Sequence, residues 1–233
     1  MTIALKAPPP TGQPEYVFTL EQYHRMIDAN IITEEDRVEF IEGVLVPKMT
    51  KKPPHESTSD RLEDALRDLL PKHLRLRVQK VTALANGEPE PDVSVVLGPK
   101  NRYDNHHPTP EEILLVGEVS ESSLGIDRGK KYRSYAAAGI PVYWIVNLID
   151  RQVEVYTSPK SPRKGTPFYS SRIDYKPGQD FPVVIEGATL GSISVDVLLP
   201  QAECCFHYNS PHSPIAEPVH EPRLHPVGRR VRF

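Results

Sequence analysis

Residues 113–147, ILLVGEVSESSLGIDRGKKYRSYAAAGIPVYWIVN, contain two apolar runs with a helical pattern between them. Residues 113–120 are rich in branched apolar side chains, which is typical of a buried strand. Residues 127–138 predict a helix that is closed by Gly139, and residues 141–146 predict a second buried strand. A strand, a helix and a strand in this order favour a right-handed crossover within one sheet.

Apolar patterns on either side of this unit predict more strands and helices. Thr19 and Gln22 have the spacing of an N-terminal capping box. Residues 37–47 predict a hairpin, and leucines at helical spacing predict a helix over residues 55–70. Further strands are expected at residues 76–81, 91–97 and 152–156, and residues 157–199 are expected to extend or edge the same sheet. The predicted fold class is therefore α/β (α+β). It has a mixed β-sheet flanked by helices, with extra C-terminal strands.

The length of 233 residues is enough for one sizeable core. Residues 1–15 contain four prolines and little apolar content, which predicts a flexible N-terminal arm. Residues 201–233 carry five prolines and four of the nine histidines in no metal-binding order, which predicts a disordered tail. A single domain is therefore expected over residues 16–200.

Composition excludes several classes of protein. The net charge of -3 shows no global basic footprint for nucleic acid, although a local basic groove is compatible with it. No apolar run approaches the roughly 20 residues needed to span a bilayer. The chain start lacks the apolar core of a secretory signal, and the adjacent Cys204 and Cys205 form no disulfide framework or zinc motif. We therefore expect a protein of the reducing cytoplasm, without a membrane partner.

Two acids lie beside the predicted core strands. Asp92 precedes the apolar run of residues 93–97, and Glu118 ends that of residues 113–117. A charge beside a core strand is costly unless something compensates it, although Pro-Asp before a strand is also a common turn. Mg²⁺ (or Mn²⁺) prefers oxygen ligands, which the two carboxylates and the Val119 carbonyl can supply. Such a metal would lower the pKa of a bound water and shield a phosphate.

A lysine follows these acids on the next predicted helix. Asp127, Lys131 and Tyr135 are spaced four apart and therefore share one helix face. Lys131 is expected to contact a scissile phosphate or to stabilise its developing charge. The alternative is a solvated lysine that pairs with Asp127, with Tyr135 packed in the core.

Three more residues are candidates on the same pattern. Glu39 lies on the strand face opposite Val38 and Phe40, where it can bind a second metal or orient a water. His55 opens the first core helix and can act as a base, a metal ligand or a phosphate contact. Gln79 lies on the predicted strand of residues 76–81, before the Asp92 strand, and can hydrogen-bond a substrate or a catalytic acid. The alternatives are that Glu39 pairs with Arg37 or Lys48 and that His55 caps its helix.

Five segments resemble the Uma-type restriction endonuclease family, within the PD-(D/E)XK nuclease superfamily. They cover about residues 16–156 and read RVEFIEGVLV, PPHE, EPEPDVSVV, LLVGEVSESS and DRGKKYRSYAAAGIPVYWIVNL. The resemblance implies a restriction-endonuclease-like mixed sheet with flanking helices. It also implies metal-dependent cleavage of phosphodiester bonds.

The resemblance assigns roles residue by residue. Asp92 takes the place of the motif aspartate and Glu118 that of the second motif acid. Glu39 matches the acid of the early hairpin, and His55 matches the histidine after the proline loop. Together with Lys131, these are the candidate catalytic residues.

The motif lysine is displaced relative to the superfamily pattern. Its usual position, two residues after the second acid, is Ser120 in this chain. The Uma-type pattern instead places a lysine on the next helix, which Lys131 matches, with Tyr135 four residues later. Ser120 and Tyr135, together with Gln79, are expected to contact the substrate.

The first functional hypothesis is a small magnesium-dependent DNA endonuclease, which would cut a duplex as a homodimer. The second is a nucleic-acid- or protein-binding module without turnover, and the third is a structural dimerisation protein. A candidate basic cluster for binding nucleic acid comprises Lys48, Lys51, Lys52, Arg128, Lys130, Lys131 and Arg133. If Asp92 and Glu118 face each other without metal, Asp92→Asn is expected to raise thermal stability.

Overall fold

The computed structural model describes residues 15–201. Its helices are α1 Leu20–Asp28, α2 Pro53–Leu69, α3 Leu124–Ile126, α4 Tyr132–Ala137 and α5 Val195–Leu198, with a π-helical segment Asp127–Lys131 between α3 and α4. Its strands are β1 Val38–Ile41, β2 Val44–Pro47, β3 Leu74–Val78, β4 Val93–Leu97, β5 Ile113–Ser120, β6 Val142–Asn147, β7 Gln152–Lys160, β8 Phe168–Tyr175, β9 Asp180–Ile185 and β10 Ala188–Ser194. The predicted N-terminal arm and C-terminal tail lie outside the described residues, apart from Glu15 and Gln201.

The centre of the fold is a six-stranded sheet in the order β3-β4-β5-β6-β7-β8. Strands β5 and β6 are parallel, and every other neighbouring pair in this sheet is antiparallel. Because parallel neighbours need a crossover connection, the chain passes from β5 to β6 through α3, the π segment and α4. The predicted mixed sheet with flanking helices is confirmed.

Each face of the sheet carries its own apolar cluster. On one face, Leu62 and Leu66 of α2 pack with Trp144 of β6 and with Phe181 of β9. On the other face, α4 packs its Tyr135 and Ala136 against the strands, among four more tyrosines: Tyr132, Tyr143, Tyr156 and Tyr169. Of the two acids, Glu118 lies within β5 and Asp92 directly precedes β4.

The strand register explains why those two acids meet. The antiparallel pairing of β4 with β5 places Val93 opposite Gly117. Continued by one residue, the register places Asp92 opposite Glu118, with both side chains on one face of the sheet. Glu118 shares its face with Val116, two residues earlier, which packs in the cluster under α4. The helix that carries Lys131 therefore covers the acids.

Several local expectations were wrong. Strand β3 ends at Val78, so Gln79 lies just beyond it, with a left-handed backbone at φ 49°. The helix around Lys131 starts at Leu124 and includes a π turn. Strands β9 and β10 form a separate two-stranded sheet instead of extending the central one, because their inner side chains pack into the α2 cluster.

Among residues 15–201, no helix combines the length and the apolar character that crossing a bilayer requires.

Candidate active site

A polar cavity of about 270 Å³ lies where the N-terminus of α2, the β1–β2 hairpin and the start of the π segment meet the ends of β4 and β5. Six of the predicted site residues line its wall: Glu39, His55, Gln79, Asp92, Glu118 and Lys131. They come from six separate positions in the chain, which the fold brings into one place. Ser120 and Tyr135, predicted as substrate contacts, do not line this cavity.

Asp92 is almost fully buried and is held by three donors. The backbone N–H of Val119 donates to Oδ2 at 2.9 Å, and His55 Nε2 lies 3.3 Å from the same oxygen. Lys51 Nζ donates to Oδ1 at 2.9 Å. Burial raises the pKa of Asp92, but the His55 contact and the Lys51 charge outweigh it and hold that pKa well below its usual value. Asp92 is therefore ionised at neutral pH.

Glu118 is equally buried but has fewer donors. Its Oε1 accepts hydrogen bonds from Lys131 Nζ at 3.0 Å and from Tyr135 Oη at 2.9 Å. Burial raises the pKa of Glu118, and the Lys131 charge only partly opposes this effect. The nearby carboxylates of Asp127 and Asp92 raise the pKa further, so it lies well above its usual value. One site thus holds two carboxyl groups with opposite pKa shifts.

Lys131 is 6% exposed and lies among three acids. In addition to Glu118, its Nζ lies 3.2 Å from Glu39 Oε2 and 3.9 Å from Asp127 Oδ1. Burial lowers the pKa of Lys131, but the surrounding carboxylates, Glu118 first, raise it above the ordinary lysine value. The ammonium therefore stays charged, yet it is shared by three acids. The wall around it has an excess of negative charge.

Ser120 and Tyr135 contact acids instead of lining the cavity. Ser120 is fully buried, and its hydroxyl donates to Asp127 Oδ2 at 2.6 Å. Tyr135 is also fully buried and donates to Glu118. Both side chains are used to orient carboxylates, and neither reaches the space where a substrate would lie.

Two contributors to this cluster were predicted only in other roles, Lys51 as a member of the basic cluster. Lys51 comes from an irregular loop 41 residues before Asp92, and no periodic pattern links the two. Asp127 was noted only as a partner for Lys131 on one helix face. The i, i+4 spacing from Asp127 to Lys131 was the available signal, and it indicates proximity but not burial.

The predicted basic cluster is not a free positive surface. Each of its seven members has a carboxylate partner within the described residues. Lys48 pairs with Glu90 at 2.7 Å, for example, and Arg133 pairs with Glu42 at 2.6 Å. These two pairs are partly exposed and such pairs contribute little stability, so a polyanion can compete for their cations, whereas Lys131 is paired inside the protein.

The donor chemistry of the cavity fits a hard divalent cation. Asp92 and Glu118 offer carboxylate oxygens side by side, and both hydrogen bonds found to Glu118 go to Oε1, not to Oε2. Among residues 15–201, no group of three or more His, Cys, Asp and Glu side chains has the arrangement of a metal site. Val119 is not among the lining residues, so its carbonyl stays only a predicted ligand, and a cation held by the two carboxylates would complete its shell mainly with water. This is the usual way in which Mg²⁺ is bound, by one or two carboxylates.

The site thus combines two buried acids of a mixed sheet with a lysine from the helical crossover. A family profile matches residues 20–180, about two thirds of the chain. The chain therefore belongs to the Uma2 family, described as "Putative restriction endonuclease".

A solved structure supports the same fold. The chain is similar to the crystal structure of "a putative nuclease belonging to DUF820" from Anabaena variabilis ATCC 29413, with a TM-score of 0.57 and 17% sequence identity. The match covers 78% of this chain and 97% of that one. At this identity the likeness concerns the fold. No curated protein matches the chain.

Proposed function

We propose that this protein is a metal-dependent endonuclease that hydrolyses phosphodiester bonds of DNA. The observation that carries the proposal is the pair Asp92 and Glu118, buried side by side at a cavity with the ammonium of Lys131. Membership of the Uma2 family supports the reaction class. The two buried acids supply the oxygen ligands that such a reaction uses.

Asp92, Glu118 and the Val119 carbonyl are the residues that would hold Mg²⁺ or Mn²⁺. An ion bound there would lower the pKa of a coordinated water and offset the charge of the phosphate. Asp92 suits this role because its depressed pKa keeps it ionised. Glu118 suits it because the cost of its buried charge falls when a cation arrives.

The other cavity residues act on the substrate and on each other. Lys131 stabilises the negative charge that develops when a water oxygen attacks phosphorus and the bond to the leaving sugar oxygen breaks. Glu39 holds the ammonium of Lys131 from the hairpin side, and its Oε2 also accepts a hydrogen bond from the Glu90 backbone. His55 orients Asp92 and is the candidate base. Gln79, on the rim, is the candidate substrate contact.

A second candidate function is a binding module without turnover. The observation that favours it is that lysines already accompany both acids, Lys51 at Asp92 and Lys131 at Glu118. In this reading the cavity wall is internally compensated. DNA or a protein partner would then bind outside the cavity, and the acids would serve the fold.

DNA cleavage separates the two functions. Purified protein is incubated with supercoiled and single-stranded DNA and with Mg²⁺ or Mn²⁺, beside the double variant Asp92→Ala/Glu118→Ala. The matched control is Glu154→Gln, which changes a buried carboxylate on β7 outside the cavity. Metal-dependent cutting that the double variant loses and the control keeps supports the nuclease. Absence of cutting with either metal supports the binding module.

We also propose that the protein acts as a homodimer in the cytoplasm. Cutting both strands of a duplex requires two sites, which a symmetric dimer provides. The edge strand β8 exposes Phe168 and Ile173, which suits an apolar contact between copies. Light scattering should give twice the chain mass, and the monomer mass for Ile173→Lys. A monomeric wild type would contradict the dimer.

A further inference from the structure

One carboxylate oxygen beside the cavity accepts no hydrogen bond, although an ammonium lies 3.9 Å away. Asp127 is 1% exposed, and its Oδ1 accepts no hydrogen bond although it is enclosed by protein. A buried acceptor without a donor costs about 1–3 kcal/mol. The same residue lines the cavity wall. The proposed hydrolysis does not use Asp127, so this cost has no explanation in the mechanism above.

The other half of this side chain is firmly held. Asp127 Oδ2 accepts hydrogen bonds of 2.6 Å from Ser120 and from Ser123. The backbone carbonyl of Asp127 accepts a third from Tyr143. These contacts fix the orientation of the carboxylate, so that the unpartnered Oδ1 is kept 3.9 Å from the ammonium of Lys131.

Lys131 now uses its donors elsewhere. It lies 3.0 Å from Glu118 and 3.2 Å from Glu39, and Asp127 is the most distant of its three acids. A divalent cation on Glu118 would neutralise that carboxylate and repel the ammonium. The lysine would then keep Glu39 at 3.2 Å and lose Glu118 as an acceptor. Asp127 Oδ1 lies 3.9 Å from Nζ, so a shift of about 1 Å brings it to hydrogen-bond distance.

We propose that Asp127 is a positioning residue that accepts the ammonium of Lys131 when a divalent cation occupies Asp92 and Glu118. The inference rests on the proposed metal dependence and adds a step to it. Lys131 moves from the metal-binding acid to a waiting acceptor, which removes a competitor of the cation. The movement keeps the ammonium charge within the cavity for the phosphate.

Mn²⁺ affinity, measured by calorimetry in a double-mutant cycle, tests this inference. Asp127→Asn removes the charged acceptor but keeps the side-chain shape, so Lys131 stays on Glu118 and Mn²⁺ binding weakens about tenfold, the scale seen for residues that support metal ligands. In Lys131→Gln protein there is no ammonium to move, and Asp127→Asn should change the affinity by about twofold at most. The difference between the two factors is the coupling of Asp127 to Lys131.

Two further variants control for charge and for folding. Glu121→Gln changes the same charge on the cavity wall without a contact to Lys131, so its effect should be small and equal in both backgrounds. Ser123→Ala keeps the Asp127 charge but removes one hydroxyl that orients it. It should weaken Mn²⁺ binding about threefold, and only when Lys131 is present.

Each outcome distinguishes the inference from the function on which it rests. Equal effects of Asp127→Asn in both backgrounds overturn the positioning role, because Asp127 would then act only as a nearby charge. Tight Mn²⁺ binding that Asp127→Asn does not change also overturns the positioning role, but it is compatible with the proposed nuclease. Absence of Mn²⁺ binding to the wild type overturns the metal dependence itself.

Discussion

Two buried glutamates of the same sheet, Glu118 on β5 and Glu154 on β7, have pKa values that are shifted in opposite directions. Both are reached by a cation from the π-helical segment, Lys131 in one case and Arg128 in the other. Glu154 also accepts hydrogen bonds from other side chains: Asn147, Gln152 and Tyr156. Burial raises the pKa of Glu154, but the hydrogen bonds from Arg128, Tyr156 and Asn147 lower it to about 2. The pKa of Glu118 is instead raised.

The two acids differ in their hydrogen-bond donors, which are numerous at the structural acid Glu154 and few at the cavity acid Glu118. Glu154 is surrounded by enough donors to stay charged within the protein. Glu118 has two donors, while Asp127, Asp92 and Glu39 add negative charge around it. Strongly perturbed carboxyl groups in a cleft are typical of functional sites. The cost retained at Glu118 is one that a cation can remove.

The largest expected effect is on cleavage. Lys131→Gln should reduce the cleavage rate about a thousandfold, because it removes the charge that stabilises the transition state. Arg128→Gln, its counterpart at Glu154, should stay within about tenfold of wild type when rates are given per folded molecule. Single-turnover rates on labelled DNA measure both. Equal rates for Lys131→Gln and wild type would remove Lys131 from the mechanism.

Stability should respond in the reverse order. Glu154→Gln should cost about 2 kcal/mol, less than the 3–5 of a fully buried pair, because Arg128 is one-third exposed. Glu118→Gln should change the free energy of unfolding by less than about 0.5 kcal/mol at pH 7, since folding already disfavours its charge. Urea unfolding measures both values. A greater loss of unfolding free energy for Glu118→Gln than for Glu154→Gln would contradict the proposed difference between the two acids.

Asp92 should behave like Glu154 in its effect on stability. The sequence predicted a gain in stability for Asp92→Asn, but Lys51, His55 and the Val119 N–H offset the charge repulsion. The variant should instead lose about 1.5 kcal/mol. Because the folded pKa lies below the ordinary 3.8, this contribution is present above that pH and is lost as the pH falls through the folded pKa.

Melting temperatures at pH 7 and at acidic pH check this prediction for Asp92. The gap between wild type and Asp92→Asn should shrink below about pH 4. If Asp92→Asn melts at a higher temperature than wild type at pH 7 without metal, the stability gain predicted from the sequence is supported instead.

The smallest expected effects come from two tyrosine hydroxyls. Tyr135→Phe removes one of the two donors to Glu118 and should cost about 1 kcal/mol. Tyr156→Phe removes one of several donors to Glu154 and should cost about 0.5 kcal/mol. Equal melting temperatures for the two variants would show that the number of donors does not separate the two acids.

Much of the sheet could be predicted because its strands are continuous apolar runs. Strand β5 has the bounds that its sequence pattern indicates, and the capping box at Thr19 is present. The separate β9–β10 hairpin could not be foreseen, because its alternation is the same as that of an edge strand. What distinguishes it is packing against α2, where Gly191 approaches Leu69.

The site could be predicted in its members but not in its contacts. Asp92, Glu118 and Lys131 stood out because charges beside apolar runs are rare, and the fold places them together. The contacts depend on a π turn and on the loop lysine Lys51, and neither has a periodic signal. Ser120 was given to the substrate because motif spacing alone does not show that its hydroxyl faces Asp127.

The most direct test of the contrast between the two acids is Mn²⁺ binding by calorimetry to wild type, Glu118→Gln and Glu154→Gln at one pH. We expect Glu118→Gln to abolish binding, because a ligand is lost, and Glu154→Gln to bind as wild type does. Binding that survives Glu118→Gln, or that depends on Glu154, would contradict the claim that the under-compensated acid is the functional one.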